Sequence, residues 1–255
     1  MSGHSKWSTI KRKKASNDAK RGKLFTRMAR EIAIAAREGG GDPEMNFSLR
    51  IAIDKAKESN MPKDNIKRAI KRGTGELKGG ELVEEVYEGY APNGVGLLIQ
   101  VLTDNKNRTV ADIRRVLSSQ GGNIAEAGAV AWQFERKGYI AIETDANDVD
   151  EMTLFDVAVE AGAEDVIFGD DMIEIFVTPS NLQAVKQALE DADIQTETVE
   201  LSMVPNATIE LSSKETFKVM RVIDELEDLD DTQHVFSNLD ISDDVMTQYE
   251  AASGA

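Results

Sequence analysis

The sequence predicts an α+β protein: an N-terminal three-helix bundle followed by two ferredoxin-like α/β domains, the last inserted in the middle one. Three observations lead there. Apolar residues spaced three or four apart give way to alternating ones beyond about residue 75. The charge balance reverses at the same place: residues 1 to 72 hold 19 Lys and Arg against 8 Asp and Glu, and the rest of the chain holds 11 against 38. Beyond residue 136 the elements run β-α-β-β-α-β, the order of the ferredoxin-like split motif.

In the first third, Leu24, Met28, Ile32 and Ala35 form one stripe with Phe25 alongside, which predicts an amphipathic helix over 17–38 ended by Gly39-Gly40-Gly41. Leu49, Ala52, Ile53 and Ala56 predict a second helix over 46–59. Pro62 suits the first turn of a third, whose apolar face is Ile66, Ala69 and Ile70. The stretch from Gly73 to Gly80 has the composition of a linker.

Ala91-Pro92-Asn93-Gly94 then reads as the turn of a β-hairpin, and its second strand, Val95 to Leu102, is apolar on both faces and therefore central in a sheet. A helix follows with Asn107 as N-cap and Val110, Ile113 and Leu117 buried, and Val130, Trp132 and Phe134 alternate as a strand. The later pattern places a strand at 139–143, a helix at 149–161, a hairpin around Gly169-Asp170-Asp171, a helix at 179–191 capped by Thr178 and Pro179, and a strand at 196–203. Ser212 and Glu215 have capping-box spacing ahead of Phe217, Met220, Ile223 and Leu226, and Val235 to Leu239 supplies a last strand. The expected domains are therefore 1–75, a basic helical domain; 81–135 plus 205–240, a discontinuous α/β middle domain; 136–204, the inserted domain; and 241–255, an acidic tail.

Composition excludes several classes of function. The chain has no Cys, which removes disulfides, thiolate catalysis and Cys-containing zinc sites, and it suits a reducing compartment. Only His4 and His234 offer imidazole, so no metal site is expected. No apolar run is long enough to span a bilayer. Neither phosphate-cradling Gly patterns nor a Gly-x-Ser-x-Gly elbow occurs. We therefore expect a cytoplasmic protein that is not an enzyme, has no cofactor, small-molecule substrate or membrane association, and meets protein partners through its acidic domains.

The net charge of −16 conceals a cationic N-terminal segment: Lys6, Lys11, Arg12, Lys13, Lys14, Lys20, Arg21, Lys23, Arg27 and Arg30, with Trp7 among them. Clustered cations favour phosphate contact by releasing counterions, and an indole can stack on a base or sugar. A solvated basic tail is the bland alternative. Arg50, Lys55, Lys57, Lys63, Lys67, Arg68, Lys71 and Arg72 could extend the phosphate-facing surface or be ordinary exterior charges. The three-glycine connection is not the short turn that a helix-turn-helix prefers, so that motif is not assigned. Arg136-Lys137-Gly138-Tyr139 resembles the opening of an RNA-recognition-motif signature, but a Lys-Gly turn entering a strand explains it better. The acidic run Asp224 to Asp231 opposes a helix dipole and lacks calcium-loop spacing, so a solvated loop is the expectation, with docking of a basic partner as the alternative.

Gly3-His4-Ser5-Lys6-Trp7, Asp18-Ala19-Lys20-Arg21-Gly22-Lys23, Phe25-Thr26, Ala36-Arg37-Glu38-Gly39-Gly40 and Asn60-Met61-Pro62 resemble blocks of the YebC/PmpR family. So do Tyr87-Glu88-Gly89-Tyr90, Thr103-Asp104-Asn105, Asn107-Arg108-Thr109, Gly121-Gly122-Asn123 and Leu229-Asp230-Asp231. Their order covers nearly the whole chain. The resemblance implies a three-domain α+β protein of the bacterial cytoplasm, described as a DNA-binding transcriptional regulator. Mitochondrial relatives are translational activators and bacterial members are linked to translation at proline-rich stretches, which implies ribosomal RNA as the alternative target. Family cations matched here are Lys6, Lys11, Lys20, Arg21, Lys23 and Arg37. Where relatives read Asn-Pro-Arg-Leu-Arg, this chain has Asn46-Phe47-Ser48-Leu49-Arg50, with one cation fewer. The candidate contact set is His4, Lys6, Trp7, Lys11, Arg12, Lys13, Lys14, Lys20, Arg21, Lys23, Arg27, Arg30 and Arg37.

Overall fold

The computed structural model describes residues 18–77, 83–103, 105–144, 150–169, 172–242, 244–246 and 248, with side chains from residue 24 onward. His4, Lys6, Trp7, Lys11, Arg12, Lys13 and Lys14, the side chains of Lys20, Arg21 and Lys23, and most of the expected linker after Leu77 and of the 241–255 tail lie outside the described residues. The described residues form two compact units, one built on Val130–Thr216 with those from Phe236 onward, the other on those from Asp18 to Ala129 together with Phe217–Val235.

The second of these units begins with three helices, α1 (Asp18–Gly39), α2 (Phe47–Glu58) and α3 (Lys63–Gly73). Met28, Ile32, Ala35 and Ala36 of α1 meet Leu49, Ile53 and Ala56 of α2 and Ile66 and Ala69 of α3 in one core, with Leu24 and Phe25 partly buried at its edge. Each large side chain removed from water here contributes about 1.5–3 kcal/mol. Small residues on α1 let the helices approach closely. A Cβ on Gly73 would lie 2.1 Å from the Ala33 carbonyl oxygen, so Gly73 is the last residue of α3 and a packing requirement, not the start of a linker. Asn46 holds the α1–α2 corner. Its Oδ1 accepts from Leu49 N at 3.0 Å, capping α2, while its Nδ2 donates to the carbonyls of Ala35 at 2.7 Å and Gly40 at 2.8 Å. A buried amide that satisfies both helix ends at once explains why this turn begins with Asn.

Strand β1 (Val83–Tyr90) pairs antiparallel with β2 (Gly96–Thr103) through a turn in which Asn93 and Gly94 both adopt positive φ. As expected, β2 is buried almost throughout. Helix α4 (Lys106–Ser119) then crosses over to the short β3 (Asn123–Ile124), which pairs antiparallel with β1, and α7 (Ser213–Glu227) leads into β8 (Thr232–Ser237). The sheet order is β3-β1-β2-β8. The α4 N-cap is Asn105, whose side chain accepts from Arg108 N at 3.2 Å, and not Asn107, which lies inside the first turn. Glycines are required where β1 meets the α4–β3 loop: a Cβ on Gly122 would lie 2.4 Å from the Tyr90 carbonyl oxygen.

The other unit holds β4 (Phe134–Glu143), α5 (Glu151–Glu160), β5 (Ala163–Phe168), β6 (Met172–Val177), α6 (Leu182–Asp191) and β7 (Thr198–Pro205). Its sheet order, β5-β6-β4-β7, with every neighbour antiparallel, is the ferredoxin-like arrangement. Two expectations are corrected. Residues Ala131–Gln133 form a single 3-10 turn and Trp132 is 72% exposed, so 130–134 is not a strand. Val130 and Phe134 are both buried at a four-residue spacing, which an alternating pattern cannot distinguish from a turn. The second helix starts at Leu182 after Asn181, because Thr178 and Pro179 are used in the preceding turn, where Asn181 N donates to Thr178 O at 3.0 Å. Ser212 and Glu215 do pair at the start of α7, with Ser212 N and Oγ both donating to the Glu215 carboxylate.

Candidate nucleic-acid interface

Helix α3 is strongly two-faced. Ile66 and Ala69 point into the bundle, and Lys63, Lys67, Arg68, Lys71 and Arg72 are all exposed. Lys63, Lys67 and Lys71 repeat at i, i+4, and Arg68 with Arg72 makes a second such row alongside. Like charges at this spacing repel, each pair costing about 0.2–0.5 kcal/mol. Asp64 is the single carboxylate on the helix, and none of the five cations is held in an ion pair among the described residues. Lys71 and Arg72 in the last turn suit the helix dipole, but Lys63 at the first position opposes it. The stripe is therefore a surface whose internal repulsion a polyanion would relieve.

The three described members of the candidate set have different surroundings. Arg37 is exposed in the last turn of α1. Arg27 donates to the Glu227 carbonyl oxygen at 2.8 Å, and Arg30 donates to the Asp230 carbonyl and stands 3.6 Å from the Asp231 carboxylate. These guanidinium groups sit at the carboxyl end of α7, where unsatisfied carbonyls and the dipole attract cations. The acidic run 224–231 is thus not merely a solvated loop: its backbone receives Arg27 and Arg30.

Its last residue, Asp231, is the hub of a polar node. The side chain is 7% exposed and accepts from Thr103 Oγ1 at 3.1 Å, Thr109 Oγ1 at 2.7 Å and Arg108 at 2.9 and 3.1 Å, while its carbonyl accepts from Leu102 N at 2.8 Å. Burial alone would raise its pKa, but the hydrogen bonds from Arg108, Thr109 and Thr103 and the Arg108 charge outweigh it and hold the carboxyl below its ordinary value. Nearby, Glu31 on α1 faces Lys55 of α2 and His234 of β8, each at 3.4 Å. Polar contacts therefore join α1 to β8 and to the residues at and after the end of α7.

Two further sequence readings are settled by geometry. Lys137 lies mid-strand with its ammonium 3.1 Å from Glu164 and 3.6 Å from Glu135, which raise its pKa, the Glu164 hydrogen bond most. Gly138 is also mid-strand, where a Cβ would lie 2.5 Å from Val177 Cγ2. Packing explains that pair, not a turn. The α3 stripe was within reach of the sequence, through the regular spacing of its lysines. The junction of helix-turn-helix length is the second one, Ser59 to Pro62, in which Asn60 has φ 59.

Comparison with known proteins accounts for this arrangement along almost the entire chain. Residues 5–76 match the profile described as the TACO1/YebC protein N-terminal domain, and residues 82–239 that of the TACO1/YebC second and third domain. A protein of Acidithiobacillus ferrooxidans named "Probable transcriptional regulatory protein" is 54% identical over 253 residues, 99% of this chain and 100% of that one. One of the same name from Halothermothrix orenii is 51% identical over 249 residues, 97% and 98% of the two chains. The crystal structure of a conserved hypothetical protein from Aquifex aeolicus superposes with a TM-score of 0.81 at 43% identity, covering 89% of this chain and 93% of that one. Among the described residues, no helix is long and apolar enough to cross a membrane. The chain belongs to the TACO1/YebC family.

Proposed function

We propose that this protein is a cytoplasmic, non-enzymatic, nucleic-acid-binding regulator of gene expression, and that duplex DNA is its target. The observation that carries the reading is the cationic stripe of α3, exposed and without ion-pair partners among the described residues. Phosphate contacts of this kind supply most of the affinity of nucleic-acid complexes. In sequence, the basic segment that includes Lys11 to Lys14 adds to the positive charge of the first third. The short α2–α3 junction supports duplex DNA, since helices that enter the major groove commonly follow such a turn. The names carried by the relatives from Acidithiobacillus ferrooxidans and Halothermothrix orenii support a regulatory role.

A second reading is structured RNA on the ribosome. It is favoured by the make-up of the stripe, which is lysine-rich and suited to phosphates, with Asn65, the amide best suited to reading a base edge, only half-exposed. Equilibrium binding of the full-length protein to promoter-length duplex DNA and to ribosomes, each across a salt series, separates the two. DNA affinity that depends on sequence and falls steeply with salt is the expected result. Saturable ribosome association without sequence-dependent DNA binding would transfer the role to RNA. Affinity no greater than that of a generic basic peptide would overturn both.

A further inference from the structure

The ferredoxin-like unit leaves an apolar stripe uncovered on α5. Leu154 and Ala158 pack inward, yet Met152 is 69% exposed, Phe155 40% and Val159 43%. These three stand at i, i+3 and i+7 and so lie on one face of the helix, separate from the buried one. Single exposed apolar residues are ordinary on protein surfaces, but three aligned over two turns are the pattern by which one helix anchors to another. Carboxylates border the stripe on both sides: Asp156 and Glu160 along one edge, Glu151 along the other, all exposed. Glu164 and Asp165 on the adjoining β5 are exposed too. Asp150 fixes the start of the helix, its side chain accepting from Thr153 N at 3.0 Å.

From this juxtaposition we infer that α5 is a docking surface for a basic amphipathic helix of a partner protein, with apolar side chains seated on Met152, Phe155 and Val159 and cations facing the bordering carboxylates. Charge selects that occupant. Nucleic acid and anionic lipid are repelled by the carboxylates. A second copy of the chain presenting the same helix would set Asp156 and Glu160 against their equals, and like charges facing each other across an interface disfavour it. The surface shares no residue with the α3 stripe.

The test uses the full-length chain and a synthetic helical peptide with Leu at i, i+3 and i+7 and Lys on both flanks. Micromolar binding is expected, with amide-exchange protection centred on 151–160. Replacing Met152, Phe155 and Val159 together by Gln should weaken it at least about tenfold. Asp156→Asn with Glu160→Gln should weaken it about threefold and flatten its salt dependence, whereas Glu210→Gln, elsewhere on the same unit, should leave it unchanged. Circular dichroism confirms that the variants keep their fold, since all the altered side chains are exposed. Peptide affinity unaffected by the triple variant, or protection outside α5, overturns the proposal. So does a dimer that the triple variant returns to monomer, which would make a second copy the occupant. Peptide affinity raised by Trp7→Ala with Ile10→Ala would make the chain's own N-terminal segment the occupant and likewise overturns it.

Discussion

Replacing Lys63, Lys67, Arg68 and Lys71 together by Gln is expected to weaken duplex-DNA binding by about three orders of magnitude near physiological salt. The slope of log affinity against log salt should fall by about three to four, since each phosphate neutralised contributes about 0.9 to that slope. The same change should leave the thermal midpoint unchanged or slightly raise it, because the four side chains are exposed and their mutual repulsion disappears. Gln keeps helix propensity, so a loss of binding could not be ascribed to a melted helix. Titration by fluorescence anisotropy across a salt series, with a thermal melt of the same samples, reads both quantities. Unchanged affinity would remove α3 from the interface, whatever the N-terminal segment does.

Asp231 gives the largest expected effect on stability. Asp231→Ala deprives Thr103 and Thr109, both buried, and Arg108, whose side chain is 52% exposed, of their shared acceptor. The cost should be about 2–4 kcal/mol, with the exposure of Arg108 keeping it toward the lower part of that range. For a chain of this size that lowers the thermal midpoint by roughly 5–12 °C. The pH dependence has a definite sign. The carboxyl is held below its ordinary value in the folded state, so its stabilisation is fully present above the ordinary carboxylate pKa and is lost as pH falls through the lower, folded one. Urea melts of wild type and Asp231→Asn should therefore differ at about pH 7, and the gap should begin to close as pH falls below the ordinary carboxylate pKa. A gap that persists unchanged into acid would mean that the carboxylate charge is not what holds the node.

The fold was legible wherever local pattern decides it. The three apolar helix stripes, the doubly buried β2 and the β-α-β-β-α-β order all follow from residue spacing alone, and the sheet order then has few alternatives. Helix starts were less legible. Asn105 and Asn107 are both good N-caps, and only the path of the chain out of β2 selects the first; Thr178 and Asn181 pose the same choice. Trp132 misled because its exposure depends on where the chain turns, which an alternation of three apolar residues does not encode. The Asp231 node was not legible at all as a site. Thr103, Arg108 and Thr109 lie more than 120 positions before it in sequence, and only the closing of β8 beside β2 joins them. Arg27 and Arg30 belonged by charge to the phosphate-binding set. The sequence could not reveal that the carboxyl end of α7 would come within their reach.

The N-terminal helical domain, through α3, is the surface proposed to meet nucleic acid. Lysine acetylation footprinting of the full-length protein, free and bound to duplex DNA, reads it residue by residue. Lys63, Lys67 and Lys71 should become protected on binding, together with the N-terminal lysines, while Lys214 and Lys218, exposed on α7, react as before. Protection absent from α3, or appearing instead on α7, would rule out α3 as the nucleic-acid surface.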